Sequence, residues 1–162
     1  MRFLRCWRHV LRIVFWPYWL AENPTMADRF TRAKRSEIMS SIKGRNTSPE
    51  RIMRRCLRKL DIRFRGNVTG LTGTPDFVLP NLHIVLFVHG CFWHGHRKCR
   101  RASIPATNRA FWARKIKGNK ARDRKINKTL REQGWAVLTF WQCRMKKEAD
   151  LLKRLSVLKQ RG

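Results

Sequence analysis

Acidic residues are scarce in this chain. Ten Asp and Glu stand against 38 Lys and Arg, a formal net charge of +28. No globular fold needs that imbalance, which repels itself in the compact state. It suits a polyanionic partner, because each Lys or Arg docked on a phosphate releases condensed counterions. A generically basic, ribosome-associated protein would share the composition. A disordered tail would not, since 43% of the residues are hydrophobic. Long apolar runs are missing too. A transmembrane helix needs ~20 apolar residues, and Arg12 and Pro17 interrupt the one stretch that approaches this. No small-residue cleavage site follows Leu20, as a signal peptide requires. Cysteine is odd in number and irregular in spacing (Cys6, Cys56, Cys91, Cys99, Cys143), unlike a secreted disulfide framework. A reducing, cytoplasmic setting follows, with thiolates free for metal. Internal repeats are absent.

At 162 residues the chain has room for one domain with a real core. Residues 1–25 differ from the rest, interleaving arginines with aromatic and aliphatic residues. They are read as an N-terminal extension outside the fold, with the natural start at Met26-Ala27-Asp28, or as a loosely attached segment. Removing them takes away four Arg and one Glu and leaves +25, so the basic character belongs to residues 26–162.

The remainder reads as one α/β domain, a sheet flanked by helices without regular βαβ alternation. Residues 34–42 form a short helix ended by Gly44. Ser48 caps a second helix with Pro49 at its first position, and Ile52, Met53, Cys56, Leu57 and Leu60 recur at helical spacing. Residues 66–75 are turn-rich. Residues 77–79 and 84–88 read as strands joined through Pro80-Asn81. Residues 89–105 have no periodicity. Two helices, 108–117 and 120–133, are expected on either side of a break at Gly118-Asn119. Residues 135–141 are a strand and 148–159 a final helix.

Chemistry concentrates in the aperiodic stretch. Cys91, His96 and Cys99 place three ligands in a loop that needs something to hold it. That set suits tetrahedral zinc, with Cys143 able to close it as a structural site. The rival is a set of cysteines without metal, and His94 is an alternative to His96 by spacing alone. Asp76 follows Gly73-Thr74-Pro75 and leads into a strand, where it could hold Mg²⁺ with a backbone carbonyl and phosphate oxygens. Alone it would read as a turn-forming Asp; its convergence with His89 and His94, either a possible general acid or base, shifts the balance. Phe92-Trp93 lie in the histidine loop and suit stacking on bases or wedging between base pairs. Phe111-Trp112 fit DNA contact and core equally.

In order, these residues resemble the very short patch repair endonucleases, which nick DNA at T·G mismatches. The resemblance rests on Lys34-Arg35-Ser36-Glu37-Ile38-Met39, Asn46-Thr47-Ser48-Pro49-Glu50, Thr74-Pro75-Asp76-Phe77-Val78 and His89-Gly90-Cys91-Phe92-Trp93-His94-Gly95-His96. Pro105-Ala106-Thr107-Asn108, Phe111-Trp112, Asn119, Arg122-Asp123-Arg124 and Gly134-Trp135 continue it. It implies a restriction-endonuclease-like mixed sheet flanked by helices. It implies Mg²⁺ on Asp76 and the Val88 carbonyl, with Glu50, His89, His94 and Asp123 completing the water and proton chemistry. Zn²⁺ would sit on Cys91, His96, Cys99 and Cys143. Phe92, Trp93 and Trp112 would intercalate, Asn119 would belong to the DNA-binding set, and Met39 would approach from the other groove. The cut would fall 5′ of a thymine left by 5-methylcytosine deamination. The enzyme would be a monomer on double-stranded DNA in the bacterial cytoplasm, active at the nucleoid, without a membrane partner. The basic Arg97-Lys98 between His96 and Cys99 departs from the family pattern, as does the stretch before Met26. Two rivals are a zinc-stabilised, non-catalytic DNA-binding protein and a restriction-system nuclease acting on matched DNA.

Overall fold

The computed structural model describes residues 31–41 and 44–160. The N-terminal extension read from the sequence lies outside the described residues. The elements run α1 (Arg32–Ser41), α2 (Ser48–Lys59), β1 (Arg65–Gly66), β2 (Phe77–Leu79), β3 (Ile84–His89), α3 (Arg109–Glu132), β4 (Ala136–Trp141) and α4 (Glu148–Lys159). The sheet order is β1-β2-β3-β4. The first two pairings are antiparallel and β3–β4 is parallel, so the sheet is mixed as the sequence implied.

Alternation along the strands sorts the core into two layers. Phe77, Leu79 and Leu86 join Met53 and Leu57 of α2 and Leu151 and Leu155 of α4. Val78, Val85 and Phe87 turn the other way onto Leu130 and Ile126 of α3. Strand β3 is covered on both faces, which is why it reads as an unbroken apolar run.

Two expectations need correction. The cap of α2 is Thr47, not Ser48. Thr47 holds extended dihedrals (φ −66, ψ 162) and its hydroxyl lies 2.6 Å from the Glu50 carboxylate. Ser48 and Pro49 therefore fill the first two helical positions, and the sequence Thr-Ser-Pro-Glu is a capping box. The second correction joins the two expected helices, because α3 continues through Gly118-Asn119. A glycine inside a helix costs about 1 kcal/mol relative to alanine. Here an inward stripe at four- and three-residue spacing (Trp112, Ile116, Asn119, Asp123, Ile126, Leu130) outweighs it. Gly118 itself is exposed, with nothing around it.

Gly73, at φ +80, lies so close to Ile126 of α3 that a Cβ would clash with it. Only glycine allows both that backbone and that approach, and the contact seats Thr74-Pro75-Asp76 beside α3. No helix among the described residues is long and apolar enough to cross a membrane.

Candidate functional site

The end of β3, the start of β2, the first turn of α2 and the middle of α3 enclose a cleft of about 730 Å³. Asp76 enters it from just before β2. Its Oδ2 accepts the Val88 N–H at 2.7 Å, which ties the carboxylate across two strands. Among the described residues its other oxygen accepts nothing. Burial pushes the Asp76 carboxyl up to about 6; the Val88 hydrogen bond opposes this and the nearby Glu50 adds to it.

Glu50 is 4% exposed and lines the same cleft. It accepts the Asn46 N–H at 2.8 Å and the Thr47 N–H at 3.4 Å besides the Thr47 hydroxyl. One carboxylate thus caps α2 and forms a wall of the cleft.

His89 ends β3 opposite Trp141 in the parallel register, and it is buried. His94 is returned to it by a tight turn in which the His94 N–H bonds Gly90 O at 3.2 Å and the His96 N–H bonds Cys91 O at 2.9 Å. The two imidazoles stack with centroids 3.7 Å apart. Beyond them, His94 Nδ1 lies 2.6 Å from Asp123 Oδ2. A carboxylate can only accept there, so Nδ1 carries the proton and Nε2 is left as the free position. Burial lowers the His89 pKa to about 4, with charge on His94 acting in the same direction and Asp123 against it. His89 is therefore neutral near pH 7. Arg122 stands at the rim, its Nη2 3.7 Å from Asp123 Oδ1.

Cys91, His96, Cys99 and Cys143 form a separate cluster, their ligand atoms all within 4.8 Å of one another. The His96 Nδ1 lies 3.3 Å from Cys143 Sγ and 3.6 Å from Cys91 Sγ. The placement brings in His96 and leaves His94 with Asp123, a choice that spacing left open. Burial pushes the Cys91 thiol up to about 11; a cation among these sulfurs reverses that, since a coordinating thiol gives up its proton. Three sulfurs and one imidazole, with no carboxylate, fit a divalent metal of borderline softness. Trp141 sits between the clusters, edge-on to His89 at 5.4 Å and stacked on His96 at 4.1 Å.

The aromatics form a third group. Trp112 packs edge-on against Phe92 at 5.2 Å and Trp93 at 5.9 Å, while Asn119 Nδ2 donates to the Trp93 carbonyl at 2.8 Å. Trp112 is 9% exposed and forms the floor of the group, whereas its neighbour Phe111 is 56% exposed. Met39 lies on α1, apart from these groups in sequence; its side chain is outside what is described. Arg122, Asn127 and Gln142 line the cleft without a role in the sequence reading. Arg122 is only a motif member there, and Asn127 and Gln142 belong to no motif, although Gln142 follows the strand end paired with His89.

Residues 27–101 match the family model described as DNA mismatch endonuclease Vsr. The type II nicking enzyme V.XorIIP of Xanthomonas oryzae pv. oryzae is 41% identical over 130 residues, covering 80% of this chain and 95% of that protein. The type II nicking enzyme V.NmeAIP of Neisseria meningitidis is 40% identical, covering 82% and 94% respectively. The DNA mismatch endonuclease Vsr of Escherichia coli K12 is 40% identical, covering 75% and 77%.

Proposed function

The chain belongs to the DNA mismatch endonuclease Vsr family and is a DNA endonuclease; on that premise we propose that it nicks duplex DNA 5′ of the thymine in T·G mismatches left by 5-methylcytosine deamination. The observation that carries this reading is the half-buried carboxylate of Asp76 lining one cleft with the His94–Asp123 pair. Such a cleft offers a cation site and a proton acceptor to one phosphodiester.

Asp76 and the Val88 carbonyl would hold Mg²⁺. When bound, it neutralises charge building on the phosphate oxygens. The free Nε2 of His94 takes a proton from the attacking water as the water oxygen bonds to phosphorus. Asp123 stabilises the imidazolium that forms and holds its orientation. The P–O ester bond to the leaving oxygen then breaks, that oxygen takes a proton from solvent water, and the imidazolium of His94 releases its proton to solvent. His89, neutral and stacked on His94, aligns it and leaves its own lone pair available to the reacting groups. Glu50 fixes the α2 wall and adds negative charge beside the Asp76 site.

Zn²⁺ fits Cys91, His96, Cys99 and Cys143 as a structural ion, because four protein ligands leave no open position. Phe92 and Trp93 would meet the mismatched pair, with Trp112 behind them and Asn119 holding Trp93 in place. Met39 would approach from the opposite groove. The working unit would be residues 26–162, a monomer acting on nucleoid DNA in the bacterial cytoplasm.

Nicking of T·G and C·G duplexes, with and without Mg²⁺, tests the reading. The expected result is T·G nicking that needs Mg²⁺ and disappears in Asp76→Ala while DNA binding survives. Undiminished nicking by Asp76→Ala sinks the mechanism, and equal cleavage of matched duplex points instead to a matched-site nuclease.

A further inference from the structure

Helix α2 carries more positive charge than its fold explains. Arg51, Arg54, Arg55 and Arg58 recur at helical spacing on one side, with Lys59 beside them, while Met53, Cys56 and Leu57 face the core. Like charges three and four residues apart weaken a helix by roughly 0.2–0.5 kcal/mol each, so stability does not account for the stripe. With Asn46 these side chains line a groove of about 560 Å³.

Two of the guanidiniums are held in place. Arg51 Nη1 donates to the Asn46 carbonyl at 3.1 Å, and the Arg54 guanidinium lies 5.9 Å from the centre of the Phe77 ring. Glu148, on the flank, takes Lys59 at 2.6 Å and Arg55 at 3.5 Å. One carboxylate thus offsets five cations. The Arg58 guanidinium has no ion pair or hydrogen bond among the described residues. The groove and the cleft share no lining residue but are neighbours: Asn46 of the groove donates its N–H to Glu50 of the cleft, and Arg51 follows Glu50 along the helix.

We propose that this face of α2 is a phosphate-docking groove that grips the DNA backbone flanking the scissile phosphate. The proposal rests on the cleft being where the strand is cut. DNA is favoured over an acidic protein because the groove lies on the helix whose first turn walls the proposed cutting cleft, and because arginine forks match phosphate oxygens. From Arg51 to Arg58 the helix spans about 10 Å, the reach of about three phosphates of one strand. Phosphate contacts fix register and carry no sequence information, so the groove serves matched and mismatched DNA alike.

The test measures dissociation constants of the full chain against salt concentration, on T·G and matched duplexes, for Arg54→Gln/Arg55→Gln/Arg58→Gln and for Arg58→Gln alone. The triple variant should lower the slope of log affinity against log salt by about 2–3, and the single variant by about 1. Each should weaken both duplexes by the same factor. An unchanged slope in the single variant, or a loss confined to the mismatched duplex, overturns the proposal. Failure of the T·G reading shows elsewhere, as equal nicking of the two duplexes by the wild-type chain.

Discussion

Two clusters of ionisable side chains grow from the same loop, yet they differ in what they leave open. Cys91 and His96 meet Cys99 and Cys143 in a set without a carboxylate, every member a soft or borderline donor. His89 and His94 meet Asp123 and face Asp76, in a set that lines a cleft. The first has its ligands turned on one another and suits a held ion. The second leaves an imidazole nitrogen and a carboxylate oxygen for a substrate. On the proposed function, adjacent residues would divide into scaffold and chemistry according to whether their partners close the site.

Breaking the closed cluster should have the largest effect. Cys143→Ala removes a ligand from a site whose metal energy would be folding energy. Bound zinc should fall from about one per chain to near zero, with nicking and loop protease resistance lost together. Full zinc content and full nicking in this variant would dissolve the distinction between the clusters.

His94→Ala should act on the open cluster alone. Loss of a general base costs about 10²–10⁴ in rate, so kcat should fall by that much while zinc content and thermal midpoint hold. If zinc is lost instead, His94 is a ligand and the division of the loop is wrong.

A smaller effect concerns stability and pH. The folded-state pKa of Asp76 is raised to about 6 from an ordinary 3.8. A raised carboxyl opposes folding once it must ionise, so the cost is absent below the unfolded value and complete above the folded one. Asp76→Asn should therefore abolish nicking yet stabilise the Mg²⁺-free, zinc-loaded protein by about 1–2 kcal/mol at pH 7. Denaturant unfolding should show that gain shrinking as pH falls from 6 towards 4. A gain independent of pH would assign it to something other than burial of the charge.

Trp141→Phe should be the mildest. It keeps an aromatic between the clusters but shortens contacts worth about 0.5–1.5 kcal/mol each. A few-fold drop in nicking with zinc retained is the expected result. Loss of zinc without loss of rate, measured on the same sample, would show that the two clusters do not communicate through this ring.

Much of this was legible in the sequence. Strands β2, β3 and β4 and helix α4 fall within a residue of their expected bounds, because apolar runs and leucine spacing carry burial directly. The metal-type cluster was legible because ligand chemistry restricts it to few residue types. What local signals could not show is where side chains end up. Gly118 reads as a break in isolation, but Asn119 and Asp123 hold inward positions that favour one helix. Ser48 is as good a cap as Thr47 by type, and only the backbone dihedrals and the Glu50 carboxylate decide between them. Trp112 and Phe111 are indistinguishable by composition, yet one is the floor and the other is exposed. Gln142 has no motif to announce it, and its place in the cleft follows from pairing between strands distant in sequence.

Helix α3 also acts as a gauge. Trp112, beneath the aromatic group, and Asp123, behind His94, are separated by three helical turns and lie on one side of the same rod. The separation is about 16 Å and resists bending, because the residues between them are hydrogen-bonded helix. The spacing between the two sites is thus written as a residue count rather than left to loop geometry. One residue inserted between them would rotate the aromatic floor by about 100° against the histidine pair, putting the two out of phase without touching either.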